Sequence, residues 1–87
     1  MSASNLHELA GVFARPRTPK EAEVLITDLL TPAECADIAQ RIQIVKMLLR
    51  GVPHRTISEK LGVSIAKVTR GSRALKRSRG GFKKFLR

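Results

Sequence analysis

The chain has no tryptophan, no tyrosine and only three phenylalanines among its 87 residues. A core of this size must therefore be built from leucine, isoleucine, valine and alanine. The same scarcity argues against modules that stack nucleobases on aromatic platforms to bind single strands or RNA. The sequence predicts an aliphatic core and no base-stacking surface.

Cysteine is also scarce, because Cys35 stands alone and neither an intrachain disulfide nor a zinc or redox motif can be written. Its simplest role is that of a small buried hydrophobe. The two histidines, His7 and His54, lack the neighbouring groups of a triad or metal site, so we expect no enzyme, no metal and no cofactor. We see no signal peptide and no bilayer-spanning apolar run, which predicts a cytoplasmic protein with no membrane partner.

Acidic residues nearly disappear from the second half of the chain. From residue 50 onward there are 12 basic residues and one acid, Glu59, whereas the first 49 residues carry 5 basic and 6 acidic residues. The net charge is +10. A near-neutral half followed by a strongly basic half indicates a scaffold joined to a surface that binds a polyanion, with nucleic acid as the leading partner.

The apolar residues recur at helical spacing, and no alternating run suggests a strand, so we predict an all-α fold. Thr18 and Thr31 each precede a proline and stand three residues before a glutamate, a pattern typical of helix starts. The predicted scaffold helices cover residues 6–14, 19–29 and 32–50. The longest is apolar over most of its circumference, which predicts burial against several neighbours, including a second copy of the chain.

Residues 52–76 are predicted to form two short helices joined by a tight turn. The first covers 54–61, Gly62 can adopt the positive φ that ends it, and Ser64 is a good N-cap for the second. A short turn followed by a basic helix is typical of helix-turn-helix DNA-binding domains, although an ordinary helical hairpin has the same spacing. We therefore divide the chain into a weakly helical arm at 1–18, a dimerisation scaffold at 19–51, the helix-turn-helix at 52–76 and a basic segment at 77–87. In that last segment Phe82 and Phe85 are expected to cover the core.

Two segments together resemble bacterial tryptophan repressors. One comprises LTPAE at 30–34, RIQIV at 41–45 and LLRG at 48–51; the other comprises LGVSIA at 61–66, TRGS at 69–72 and LK at 75–76. The resemblance covers about two thirds of the chain and is poor at the N-terminus. It implies an intertwined, all-α homodimer whose paired helix-turn-helix domains enter the major groove of duplex DNA about one helical turn apart.

The resemblance also implies an amino-acid corepressor, L-tryptophan or a similar compound. The positions that match the family's pocket are Thr31, Arg41, Arg70 and Gly71. Two guanidinium planes can sandwich an indole, Arg70 can pair with a carboxylate, and Gly71 leaves room for the ligand. Asp28 and Ala74 also fall beside this pocket but depart from the family, which usually has an apolar residue and a serine there.

The resemblance and the charge pattern together predict the DNA contacts. These residues are Arg55, Ser64, Ile65, Ala66, Lys67, Thr69, Arg73 and Lys76. Ile65 and Ala66 can lie against thymine methyl groups, Lys67 can donate to guanine or phosphate, and Arg73 and Lys76 hold phosphates. Lys67 stands where the family has a threonine, so the operator sequence is expected to differ.

Two alternatives remain open. In one, the fold and DNA binding are kept but no amino acid controls them, because Asp28 pairs with the pocket arginines. In the other, the chain is a basic protein that binds structured RNA or the ribosome.

Overall fold

The computed structural model describes residues 2–87, and every regular element in that range is an α-helix, which confirms the all-α prediction. The helices are α1 (Ala3–Phe13), α2 (Pro19–Leu29), α3 (Pro32–Leu49), α4 (His54–Leu61), α5 (Ile65–Arg77) and α6 (Gly81–Phe85). The chain divides into two compact units, Met1–Ala36 and Asp37–Arg87. The division into four functional segments is a separate matter and stays a prediction.

The first unit holds α1, α2 and the start of α3. Helix α1 begins three residues earlier than the apolar pattern predicts, because the Ser2 hydroxyl accepts a hydrogen bond from the Asn5 N–H at 3.2 Å and caps the helix. Helix α2 has the predicted bounds. Its cap is Thr18, whose hydroxyl accepts from the Glu21 N–H at 3.1 Å.

Neither α1 nor α2 contains a buried residue. Their large apolar side chains are instead exposed, namely Leu6, Leu9, Phe13, Val24 and Leu29. Helices with apolar faces gain most of their stability in proteins by packing those faces against something. The first unit of a single chain therefore leaves that apolar surface uncovered.

The start of α3 is a reciprocal capping box. The Thr31 hydroxyl accepts from the Glu34 N–H at 3.1 Å, and the Thr31 N–H donates to the Glu34 carboxylate at 2.9 Å. The backbone N–H of Thr31, with a smaller effect from its hydroxyl, lowers the pKa of Glu34. The helix ends at Leu49, one residue before the predicted boundary, and Gly51 follows with a φ of 80°.

The core of the second unit is small and aliphatic, as the composition predicts. Its buried hydrophobic residues are Ile44, Val45, Ile57, Val63 and Val68. The expectation that α3 is buried on most sides is wrong for a single chain, since only two of its residues are buried and Ile38 is 46% exposed. The expectation that Phe85 covers the core is also wrong, because its side chain is 76% exposed while Phe82 is half-buried.

Candidate nucleic-acid interface and ligand recess

The turn between α4 and α5 fixes how the second helix is presented. Gly62 ends α4 in the left-handed conformation, with a φ of 64°. The Ser58 hydroxyl donates to the Val63 carbonyl at 2.6 Å, and the Val63 N–H donates to the Ser58 carbonyl at 3.2 Å. The Gly-containing turn is as predicted, but the sequence analysis missed Ser58, whose role depends on a hydroxyl that faces the turn. The two bonds make Ser58 a clamp on the turn.

The first turn of α5 faces solvent. The Ser64 hydroxyl caps the helix by accepting from the Lys67 N–H at 3.2 Å. Ala66 is exposed, and Ile65 keeps 49% of its surface accessible although it is apolar. Val68, on the opposite face, is fully buried. The helix is thus anchored on one side while its N-terminal end remains free to contact a partner.

Basic side chains are exposed on the same two helices. Arg55 lies in the first turn of α4, and Arg73 and Lys76 lie further along α5; all three are exposed, and Thr69 is half-buried. Arginine and lysine in such positions can neutralise phosphates without reading bases. Arg50, the first residue of the basic half, is exposed just beyond α3.

A recess of about 150 Å³ lies in the second unit between α3 and α5. We call it the α3–α5 recess, and its lining residues are Asp37, Gln40, Arg41, Ile44, Lys67, Arg70 and Gly71. Arg41, Arg70 and Gly71 of the predicted pocket therefore lie around one cavity, with Arg41 and Arg70 on different helices. Asp37, Gln40 and Ile44 join them, although the resemblance did not point to these three residues.

Gly71 lies where the two helices approach each other most closely. It is buried, and a Cβ placed on it would be 2.6 Å from Cγ2 of Ile44, far inside normal carbon–carbon contact. Its small size is thus required by the packing of α5 on α3. The sequence analysis assigned that space to a ligand, whereas the structure fills it with Ile44.

Lys67 turns back toward the scaffold helix. Its ammonium donates to the Gln40 side-chain oxygen at 3.0 Å, a bond that joins α5 to α3 at the rim of the recess. The prediction placed this side chain at the DNA groove. In this structure it lies at the recess, although it remains exposed.

The other predicted pocket residues lie elsewhere or have a structural role. Ala74 lines a separate apolar recess with Ile42 and Phe82, not the α3–α5 recess. Thr31 and Asp28 belong to the first unit. Thr31 caps α3, and Asp28 is exposed on α2. Their ligand roles stay predictions.

Two further observations concern residues 2–87 alone. No group of three or more histidine, cysteine, aspartate or glutamate side chains gathers there as a metal site. Within the same stretch, every helix is too short or too polar to cross a membrane.

Comparison with known proteins gives one consistent result. A family model described as Trp repressor protein matches residues 4–87. A Trp operon repressor homolog of Chlamydia trachomatis serovar L2 is 49% identical over 63 residues, 71% of this chain and 67% of that protein. One of Vibrio vulnificus is 47% identical over 58 residues, 66% of this chain and 57% of its own length. The chain spans about three fifths to two thirds of these relatives.

Proposed function

Because this chain belongs to the Trp repressor family, we propose that it represses transcription as a cytoplasmic homodimer on duplex operator DNA, with L-tryptophan or a similar amino acid as corepressor. The observation that carries DNA binding is the solvent-facing first turn of α5, capped by Ser64 and clamped to α4 through Ser58. The exposed basic side chains on both helices supply the electrostatic attraction.

The uncovered apolar surface supports the homodimer. Leu6, Leu9 and Phe13 on α1 are exposed, and a recess of about 610 Å³ that includes Phe82 and Phe85 is apolar and open on the second unit. Exposed apolar surface of this extent marks an association site. A second copy would cover it and supply the core that an 87-residue chain lacks.

The α3–α5 recess supports the corepressor. Arg41 projects from the scaffold helix and Arg70 from the DNA-facing helix, so a planar ligand between them would contact both. A ligand that binds better to one tilt of α5 shifts the population toward that tilt. This gives corepression a physical basis, because the tilt decides whether both helices of a dimer meet successive major grooves.

Arg73→Gln tests the DNA part. We would select duplexes from a random-sequence library with the wild-type protein and measure affinity across a salt series by fluorescence anisotropy. Loss of one phosphate contact should reduce the slope of log affinity against log salt by about 0.9. Lys20→Gln, the same type of change on exposed α2, should leave the slope unchanged.

Two other outcomes would count against the proposal. Tighter binding to structured RNA than to any duplex at equal salt would favour the RNA alternative. A monomer in analytical ultracentrifugation at micromolar concentration would remove the dimer.

Calorimetry tests the corepressor part. L-tryptophan should bind the wild-type dimer and tighten its hold on DNA, and Arg70→Leu should abolish both effects. If no amino acid changes DNA affinity while DNA binding persists, the regulator acts without this ligand. The Lys67–Gln40 bond across the rim of the recess specifically favours that second candidate, because it already joins the two helices that the ligand would bridge.

A further inference from the structure

We infer that the α3–α5 recess takes a planar ligand bearing two acidic groups, and that Lys67 and Gln40 set this preference. The inference rests on the proposed function, since it names the chemical class of ligand for the same recess. It goes further because it assigns roles to two residues outside the set of pocket residues predicted from the sequence.

The charges around the recess are unequal. Arg41, Arg70 and Lys67 are cationic at neutral pH and Asp37 is the one acid, which leaves a formal charge of +2. A zwitterionic amino acid adds no net charge and leaves that excess in place. A dianion removes it.

The excess charge lies mainly on α5. Asp37 and Arg41 are four residues apart on α3, so they are neighbours on one helix face and offset each other. Lys67 and Arg70 are three residues apart on α5 and are also neighbours, but they repel. Each of these two cations can accept one carboxylate, Arg70 in a bidentate pair and Lys67 as a point charge.

Gln40 holds the Lys67 ammonium at the recess. Its side-chain oxygen accepts from the ammonium at 3.0 Å, and an amide neutralises none of the charge. The cation is thereby positioned but not cancelled. Ala74, the position where the family has a serine near the ligand's amino group, lies on a different recess. The lining thus offers an ammonium group only Asp37 and the already engaged Gln40 oxygen, and offers carboxylates three cations.

A charge series on one ring tests the inference. Isophthalate, benzoate and benzamide share an aromatic ring and carry two, one and no negative charges. Isothermal titration of the wild-type protein, without DNA, should show isophthalate binding about tenfold more tightly than benzoate, the effect of one more charge pair at a solvent-exposed site. Benzamide should bind most weakly.

Two variants isolate the residues. Lys67→Gln should lower isophthalate affinity about tenfold and leave benzoate affinity nearly unchanged, because Arg70 still holds the first carboxylate. Gln40→Glu should also remove the preference, because a carboxylate beside Lys67 cancels its charge. Lys60→Gln is the matched control, since this exposed lysine on α4 does not line the recess. Circular dichroism of each variant establishes that it is folded.

L-Tryptophan, titrated in parallel, separates this inference from the proposed function. If tryptophan binds and isophthalate binds no better than benzoate, the inference is wrong and the corepressor proposal survives. An isophthalate preference that persists in Lys67→Gln also overturns it. If nothing in either set binds, the recess is not a ligand site and both ideas fail.

Discussion

Gly71→Ala is the sharpest test of how α5 sits on α3. The added methyl would be 2.6 Å from Cγ2 of Ile44, whereas carbon atoms pack comfortably at about 3.5–4.0 Å, so the helices must separate by about 1 Å or Ile44 must move. Cγ2 is a branch on Cβ and cannot rotate away cheaply. Such overpacking costs about 1–3 kcal/mol. Alanine's better helix propensity returns about 1 kcal/mol, so we expect a net loss of about 0–2 kcal/mol.

The sign of the effect should reverse when Ile44 is changed first. Ile44→Leu conserves volume but removes the branch at Cβ, and the remaining neighbours, Cβ of residue 44 at 3.5 Å and Cδ1 of Leu48 at 3.9 Å, are ordinary contacts. In that background Gly71→Ala should stabilise the protein by about 1 kcal/mol. Gly11→Ala, where nothing lies within 4 Å of the added methyl, should stabilise the wild type by a similar amount.

Urea unfolding followed by circular dichroism, at one protein concentration, measures all four variants and the wild type. The difference between the two backgrounds is the coupling energy between Gly71 and Ile44. Equal effects of Gly71→Ala in both backgrounds would refute the assigned contact, and with it the view that glycine is needed here for helix packing.

Three further outcomes follow from hydrogen bonds described above. Ser58→Ala should lower the free energy of unfolding by about 0.5–1.5 kcal/mol by removing the bond to Val63, and should speed amide exchange in the turn; unchanged exchange would contradict the clamp. Thr31→Ala should cost about 1 kcal/mol through loss of the α3 cap, while Thr31→Ser, which keeps a hydroxyl, should cost much less. Because the folded-state pKa of Glu34 is lowered, its contribution to stability is present above the ordinary carboxyl pKa and is lost as the pH falls through the folded value. Urea unfolding of Glu34→Gln should therefore show a flatter acid limb than the wild type, and an unchanged limb would contradict this origin.

Local signals predicted the helices well. Thr18, Thr31 and Ser64 each mark a helix start, and Gly62 marks a helix end, because caps and positive-φ glycines act within one turn of the chain. The start of α1 was missed because Ser2 is followed by no apolar stripe for several residues. Propensity and capping sufficed for the all-α fold.

Side-chain partners distant in sequence were not predictable in the same way. The bond from Lys67 to Gln40 spans 27 positions, and its lysine side chain is long enough to reach either the DNA face or the recess. Gly71 was correctly singled out but given the wrong reason, because its neighbour Ile44 comes from another helix. The exposure of Phe85 likewise depends on surface that one chain cannot cover.

Ile44 has a consequence for how binding preference can change over evolution. The same side chain is part of the hydrophobic core, touches Gly71 and forms the floor of the α3–α5 recess. Any substitution that reshapes the floor for a larger or smaller compound also alters the contact that seats the DNA-facing helix. New chemical tastes are therefore expected to arise at the solvent-exposed rim, where Asp37 and Lys67 can be replaced without disturbing the interior. Relatives with different effectors should differ first at those outer positions.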